Sequence, residues 1–85
     1  MSADAPDPAH PDPAHPVKHS VRLAGHDTSL SLEAAFWDAL KAAAGRRGLS
    51  VNALLTRIDA ERRGSLSAAV RVWLLHEAAN HHKRE

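Results

Sequence analysis

Two short runs of alternating apolar and polar residues precede three runs in which apolar residues recur at helical spacing. Val17, His19, Val21 and Leu23 alternate with Lys18, Ser20 and Arg22, a period of two with one basic face. Gly25 ends that run, with His26 and Asp27 expected as turn residues. In Thr28–Leu32 the alternation returns, with Leu30 and Leu32 on one face and Ser29 and Ser31 on the other. The period then changes. Phe36, Trp37, Leu40, Ala43 and Ala44 give an amphipathic helix, with Ser31 as its expected N-cap and Glu33 in its first turn. Gly48 stops it after Arg46 and Arg47. Ser50 caps a second helix with Val51, Leu54, Leu55 and Ile58 on one face, and Gly64 ends that one. A third opens at Ser67, or Ser65, with Leu66, Val70, Trp73 and Leu74 inward and Arg71 outward. From Ala78 to Glu85 the chain reads as a fraying polar tail.

The two alternating runs fit a hairpin and a single kinked arm equally well. The strand Thr28–Leu32 is short and needs a partner, and the cheapest is its own copy in a second chain. The expected organisation is a Pro/Asp/His-rich tail over 1–16, a folded unit over 17–78, and a polar tail over 79–85.

The 85 residues allow one small domain, near the size where a single core is marginal and oligomerisation helps. The absence of cysteine removes disulfides and thiolate zinc sites as sources of stability. No apolar run approaches the ~20 residues of a membrane span. The start, MSADAPDPAH, lacks the features of a signal peptide, so a cytoplasmic protein is expected. Net charge is +1 but unevenly placed. Residues 1–16 carry Asp4, Asp7 and Asp12 and no Lys or Arg, while residues 17–85 hold all eleven Lys and Arg against seven acids, a balance of +4. A mildly basic folded part is compatible with a surface that faces phosphates.

Catalytic and metal chemistry find little support. PDPAH occurs at 6–10 and again at 11–15 before Pro16, and proline at that density forbids a helix. His10 and His15 recur in it without the fixed geometry a metal site needs. His76, His81 and His82 do not share the i, i+4 spacing that puts two imidazoles on one helix face. No Gly-rich phosphate loop or nucleophile elbow is present, and no cofactor or enzyme activity is expected. Trp37 and Trp73 read as core, and Arg57, Arg62, Arg63 and Arg71 as solvated helix surface.

The strand, first helix, Gly-x-Ser junction (Gly48-Leu49-Ser50) and second helix of Thr28–Arg57 follow in an order and with lengths that resemble the ribbon-helix-helix family of repressors, the Arc and MetJ type. The longer pattern, VRLAGHDTSLSLEAAFWDAL followed by LSVNALL and SLSAAVRV, resembles small bacterial members with an added arm and C-terminal helix. The fold implied is mainly α with a short β-ribbon, a ribbon-helix-helix homodimer plus a C-terminal helix. The function implied is sequence-specific DNA binding by a transcriptional regulator, with the ribbon in the major groove of duplex DNA. Carried onto this chain, Asp27, Ser29 and Ser31 face outward from the ribbon, and Ser50, Val51 and Asn52 clamp a phosphate at a helix start. Leu30, Leu32, Phe36, Leu40, Leu54 and Ile58 would form the dimer core.

Ser29 and Ser31 are short for base reading, and Asp27 would face a polyanion. Lys18, Ser20 and Arg22 offer a better reading face if the arm is the true ribbon. If the arm instead pairs with 28–32, the dimer carries a four-stranded sheet too wide to enter a groove of ~12 Å as a two-stranded ribbon does, and DNA binding then needs another surface or is absent. Lys18 and Arg22 read equally well as a solvated face guarding a strand edge. The alternative function is a dimer of the same fold, antitoxin-like or an adaptor, that holds a protein partner through helix 66–78 and does not bind DNA.

Overall fold

A computed structural model describes the backbone of residues 12–82 and the side chains of residues 12–80. Two strands lead into three helices: β1 (Pro16–Leu23), β2 (His26–Glu33), α1 (Ala34–Arg46), α2 (Val51–Glu61) and α3 (Leu66–His82).

The open choice between arm and hairpin resolves to the hairpin. β1 and β2 are antiparallel neighbours, with Leu23 opposite His26, Arg22 opposite Asp27, Ser20 opposite Ser29 and Lys18 opposite Ser31. The loop is only Ala24-Gly25, at φ 52° and 84°. Two consecutive positive φ values match the twist of the flanking strands, which is why a two-residue loop closes here. His26 and Asp27, expected in the turn, are instead the first residues of β2.

Opposite residues share a face, and the register puts Val17, His19, Val21, Leu23, His26, Thr28, Leu30 and Leu32 on one side, where His19, His26 and Thr28 stay exposed. Val21, Leu23, Leu30 and Leu32 are buried against the helices, with Val17 half-buried beside them. Lys18, Ser20, Arg22, Asp27, Ser29 and Ser31 all point the other way and are exposed.

The start of α1 differs from the expectation. β2 runs through Ser31 to Glu33, so Ser31 is not the helix cap, and the Glu33 side chain makes no capping bond. Backbone takes over that task. The Ala34 amide donates to the His15 carbonyl and the Ala35 amide to the Pro13 carbonyl, each at 2.9 Å. Those carbonyls are held by a turn in which Asp12 accepts from the amides of Ala14 and His15. Residues 12–15 of the leader thus form a turn and Pro16 begins β1. His10 and the rest of residues 1–11 lie outside the described residues.

The remaining helix ends follow the sequence more closely. At the end of α1, the Leu49 amide reaches the Ala44 carbonyl and the Gly48 amide the Gly45 carbonyl, with Gly48 at φ 68°. This pairing satisfies carbonyls the helix would otherwise leave open, and it requires a residue at ease in the left-handed region. Ser50 caps α2 by accepting from the Ala53 amide at 3.0 Å. For α3 the cap is Ser65, which accepts from the Ala68 amide at 3.2 Å, so Ser67 falls within the first turn. α3 continues past Ala78 to His82.

The core is apolar throughout, and no polar or charged residue is buried among the described residues. Leu32, Leu40, Leu55 and Val70 are fully covered, and truncating a side chain such as Leu40 costs about 2–5 kcal/mol. Trp37 is buried as expected. Its indole Nε1–H donates to the Val17 carbonyl at 2.9 Å, and its ring meets His19 edge-on at 4.6 Å, fastening α1 to β1. Within this frame α2 packs on β1, α3 packs on β2, and α1 touches β2 and both other helices.

Candidate nucleic-acid interface

The outer face of the hairpin brings together six of the candidate DNA-contacting residues. All six side chains are exposed, and none belongs to the core. The cross-strand pair Arg22–Asp27 forms an ion pair, Nη1 to Oδ1 at 3.1 Å, with side chains 66% and 78% exposed. Arg22 is therefore partly neutralised by the acid that sits opposite it. Lys18 makes no ion pair among the described residues and faces Ser31.

The open backbone edges differ. The Ala34–His15 bond lies two register pairs beyond Val17 and Leu32, past Pro16 and Glu33, and so marks which pairs of the ladder are hydrogen-bonded. Hydrogen-bonded pairs alternate in an antiparallel ladder, so Asp27, Ser29 and Ser31 direct their own amides and carbonyls away from β1. β2 thus presents an eight-residue edge without Lys, Arg or Pro, while Lys18 and Arg22 stand on β1. Charged residues and proline are the usual guards of a free edge. β2 has no proline, and its charges are Asp27 near one end and Glu33, tied to Arg71, at the other, so Thr28 to Leu32 between them is uncharged.

The second candidate group, at the start of α2, stands apart. No hydrogen bond or ion pair among the described residues joins it to the hairpin face. Ser50 is occupied as the cap, Val51 is half-buried against the core, and Asn52 is exposed with its carbonyl accepting from the Thr56 hydroxyl at 2.8 Å. A capped helix start with a polar exposed side chain remains able to receive a phosphate.

Five of the residues expected in a dimer core, Leu30, Leu32, Leu40, Leu54 and Ile58, are already buried within one protomer. Phe36 is only half-buried, beneath the Arg71 guanidinium at 5.8 Å from its ring centre.

Sequence reasoning missed the ion pairs that hold α3 in place. Arg71, expected on a solvated face, binds both oxygens of Glu33, at 3.0 and 3.3 Å. Hydrogen bonding from Arg71 holds the Glu33 carboxyl below the usual carboxylate range. Glu77 receives Arg47 at 2.6 Å and Arg46 at 3.4 Å, and Arg47 also lies 5.0 Å over the Trp73 ring. Hydrogen bonding from Arg47, and then from Arg46, outweighs partial burial and lowers the Glu77 pKa. These partners lie 30 or more residues apart in the chain, beyond the reach of local spacing rules.

No helix among the described residues is long and apolar enough to cross a membrane. The model of a family described as a ribbon-helix-helix domain matches residues 16–78. Curated proteins offer no match. Among solved structures, the chain is similar to an uncharacterized protein from Bordetella pertussis Tohama I, with a TM-score of 0.68 and 29% identity. The likeness covers 79% of this chain and 58% of that one, so the chain spans under two thirds of the solved protein's length.

Proposed function

This chain belongs to the ribbon-helix-helix family, and from that premise we propose that it is a cytoplasmic, DNA-binding transcriptional regulator acting as a homodimer. The observation that carries the reading is the outer face of the hairpin, where Lys18, Ser20, Arg22, Asp27, Ser29 and Ser31 lie together with no role in the core.

In this reading two copies pair through the open β2 edges, making a four-stranded sheet in the order β1-β2-β2-β1. Neighbouring strands are ~4.8 Å apart, so the outer β1 strands stand ~14 Å from each other. The major groove is ~12 Å wide. A sheet of that span lies across the groove instead of entering it as a two-stranded ribbon. Lys18 on the outer strands then meets the two phosphate rows, with Arg22 beside it tied to Asp27, and Ser29 and Ser31 on the central strands face the base edges. The α2 start, Ser50 to Asn52, adds a phosphate contact in each copy through free amides and the helix dipole. Affinity comes mainly from phosphates, and base discrimination by short serines is slight.

The alternative, a dimer that holds a protein partner through helix 66–78, makes no use of Lys18. Fluorescence anisotropy of a labelled duplex separates the two. The full chain should bind with an affinity that falls as salt rises, and Lys18→Ala should flatten the log–log salt slope by about 2, one phosphate contact per copy. A slope unchanged by Lys18→Ala refutes the proposed contact.

A further inference from the structure

α3 carries two apolar stripes. The inward one, Leu66, Val70, Trp73 and Leu74, is satisfied within the protomer. The other is Ala68, Val72, Leu75 and Ala79, spaced i, i+4, i+7 and i+11, and every member is exposed. Val72 is 52% and Leu75 67% exposed, and they are the exposed large hydrophobics of the described residues. A helix apolar on two faces has two neighbours, and only one of them is accounted for.

Beside this stripe lies an apolar groove of about 440 Å³ between α1 and α3, lined by Phe36, Ala39, Val72, Leu75 and Ala78 among others. Its one charged neighbour, Arg71, is already paired with Glu33. The groove offers an incoming group nothing to hydrogen-bond and no free charge. A polyanion has no reason to settle there.

Its position names the occupant. α3 packs on β2 whereas α2 packs on β1, so the groove stands on the side of the sheet whose edge is open. That edge, eight residues in β2, is ~27 Å long and ~10 Å deep and offers about 270 Å². A stable dimer buries about 800 Å² per partner. The strand edge alone falls well short, and the missing area has to lie next to it. The face is also self-complementary, since it bears both protruding Val72 and Leu75 and a hole that accepts side chains of that size. A patch that carries knob and hole together suits a two-fold contact with its own copy.

We propose that the α1/α3 groove is covered by a second copy of this chain, α3 packing across the same two-fold axis that joins the β2 edges. The inference rests on the homodimer reading above and assigns it a second, larger contact. The C-terminal helix thereby has a dual task, closing the core of its own protomer on one face and the dimer on the other.

Sedimentation equilibrium of the full chain, wild type against Leu75→Lys and Val72→Glu, tests it. Both positions are exposed, so the variants should keep the helical circular dichroism of the wild type. Each substitution acts twice in a two-fold dimer, and the dissociation constant should rise at least about 100-fold. Hydrogen exchange of the unaltered chain gives a readout that needs no variant: the peptide over 66–82 should exchange more slowly above the dimer midpoint than below it. A wild-type chain that stays monomeric at micromolar concentration overturns the homodimer reading, and this proposal with it. A wild-type dimer whose constant is unchanged in both variants, or whose 66–82 peptide exchanges alike in monomer and dimer, overturns this proposal alone and leaves the face to a different protein.

Discussion

Replacing Asp27 by Asn should strengthen DNA binding. Asp27 lies on the face proposed to meet the phosphates, opposite Arg22 and bound to it at 3.1 Å, with both side chains largely in solvent. An ion pair that exposed contributes at most about 1 kcal/mol to folding, so the variant should melt close to the wild type. On DNA the balance differs. A carboxylate ~7 Å from a phosphate in water is repelled by about 0.6 kcal/mol, and a dimer carries two such carboxylates. Removing them yields about 1 kcal/mol, roughly fivefold in affinity at low salt. The two Arg22 side chains, released from their acids, add two phosphate contacts and steepen the log–log salt slope by about 1.8. The combined expectation is a gain of about 5- to 30-fold in duplex affinity at about 50 mM salt, a gain that shrinks as salt rises. Anisotropy titrations of both proteins against one labelled duplex measure it. Equal affinity would show that the hairpin face does not meet the phosphates. Weaker binding by Asp27→Asn would mean that the carboxylate accepts a hydrogen bond from cytosine, and would refute the phosphate-dominated account.

Glu77→Gln should cost about 1 kcal/mol near neutral pH, because it unties both Arg46 and Arg47 from α3 at partly exposed positions. The Glu77 pKa lies below its ordinary 4.5 in the folded chain. Its contribution is therefore fully present above pH 4.5 and is lost as pH falls through the lower folded value. Urea unfolding followed by tryptophan fluorescence should show a constant gap between wild type and variant from about pH 6 to 8 that closes in acid, and a gap that widens in acid would contradict the assignment. Gly48→Ala should destabilise by about 1–2 kcal/mol, since φ 68° is strained for any residue with a Cβ while the space around it is empty. A thermal midpoint equal to the wild type's would refute that strain. Ala24→Asn should stabilise by about 0.5–1 kcal/mol, as Asn tolerates the φ of 52° better and Asn-Gly favours this turn; a drop in the urea midpoint would count against the two-residue loop.

Helical spacing in the sequence located all three helices and most of the core, because Gly48 and Ser50 act through rules that span three or four residues. The hairpin was harder. Ala24-Gly25 is a weaker turn signal than Asn-Gly, and His26-Asp27 beside it reads as more turn-like than strand-like. The α1 start was misplaced for a related reason. Carbonyls of Pro13 and His15, brought in by strand pairing, do the capping that Ser31 was expected to do, and backbone groups leave no mark in a sequence. The six outward hairpin residues were legible as two separate sets, and pairing joined them into one face. The stripe Ala68, Val72, Leu75 and Ala79 is visible in the sequence once sought, but the bulkier inward stripe with Trp73 and Leu74 dominates the pattern. Arg71 with Glu33 and Glu77 with Arg46 and Arg47 depend on tertiary packing, and spacing carries no sign of them.

A dimer of this chain is proposed to hold duplex DNA mainly through phosphates met by the outer hairpin face. The most direct test is the salt dependence of wild-type affinity for a mixed-sequence duplex. With one to two cationic contacts per copy the log–log slope should lie between about −2 and −4. No binding at about 50 mM salt, or binding with a slope near zero, would contradict it.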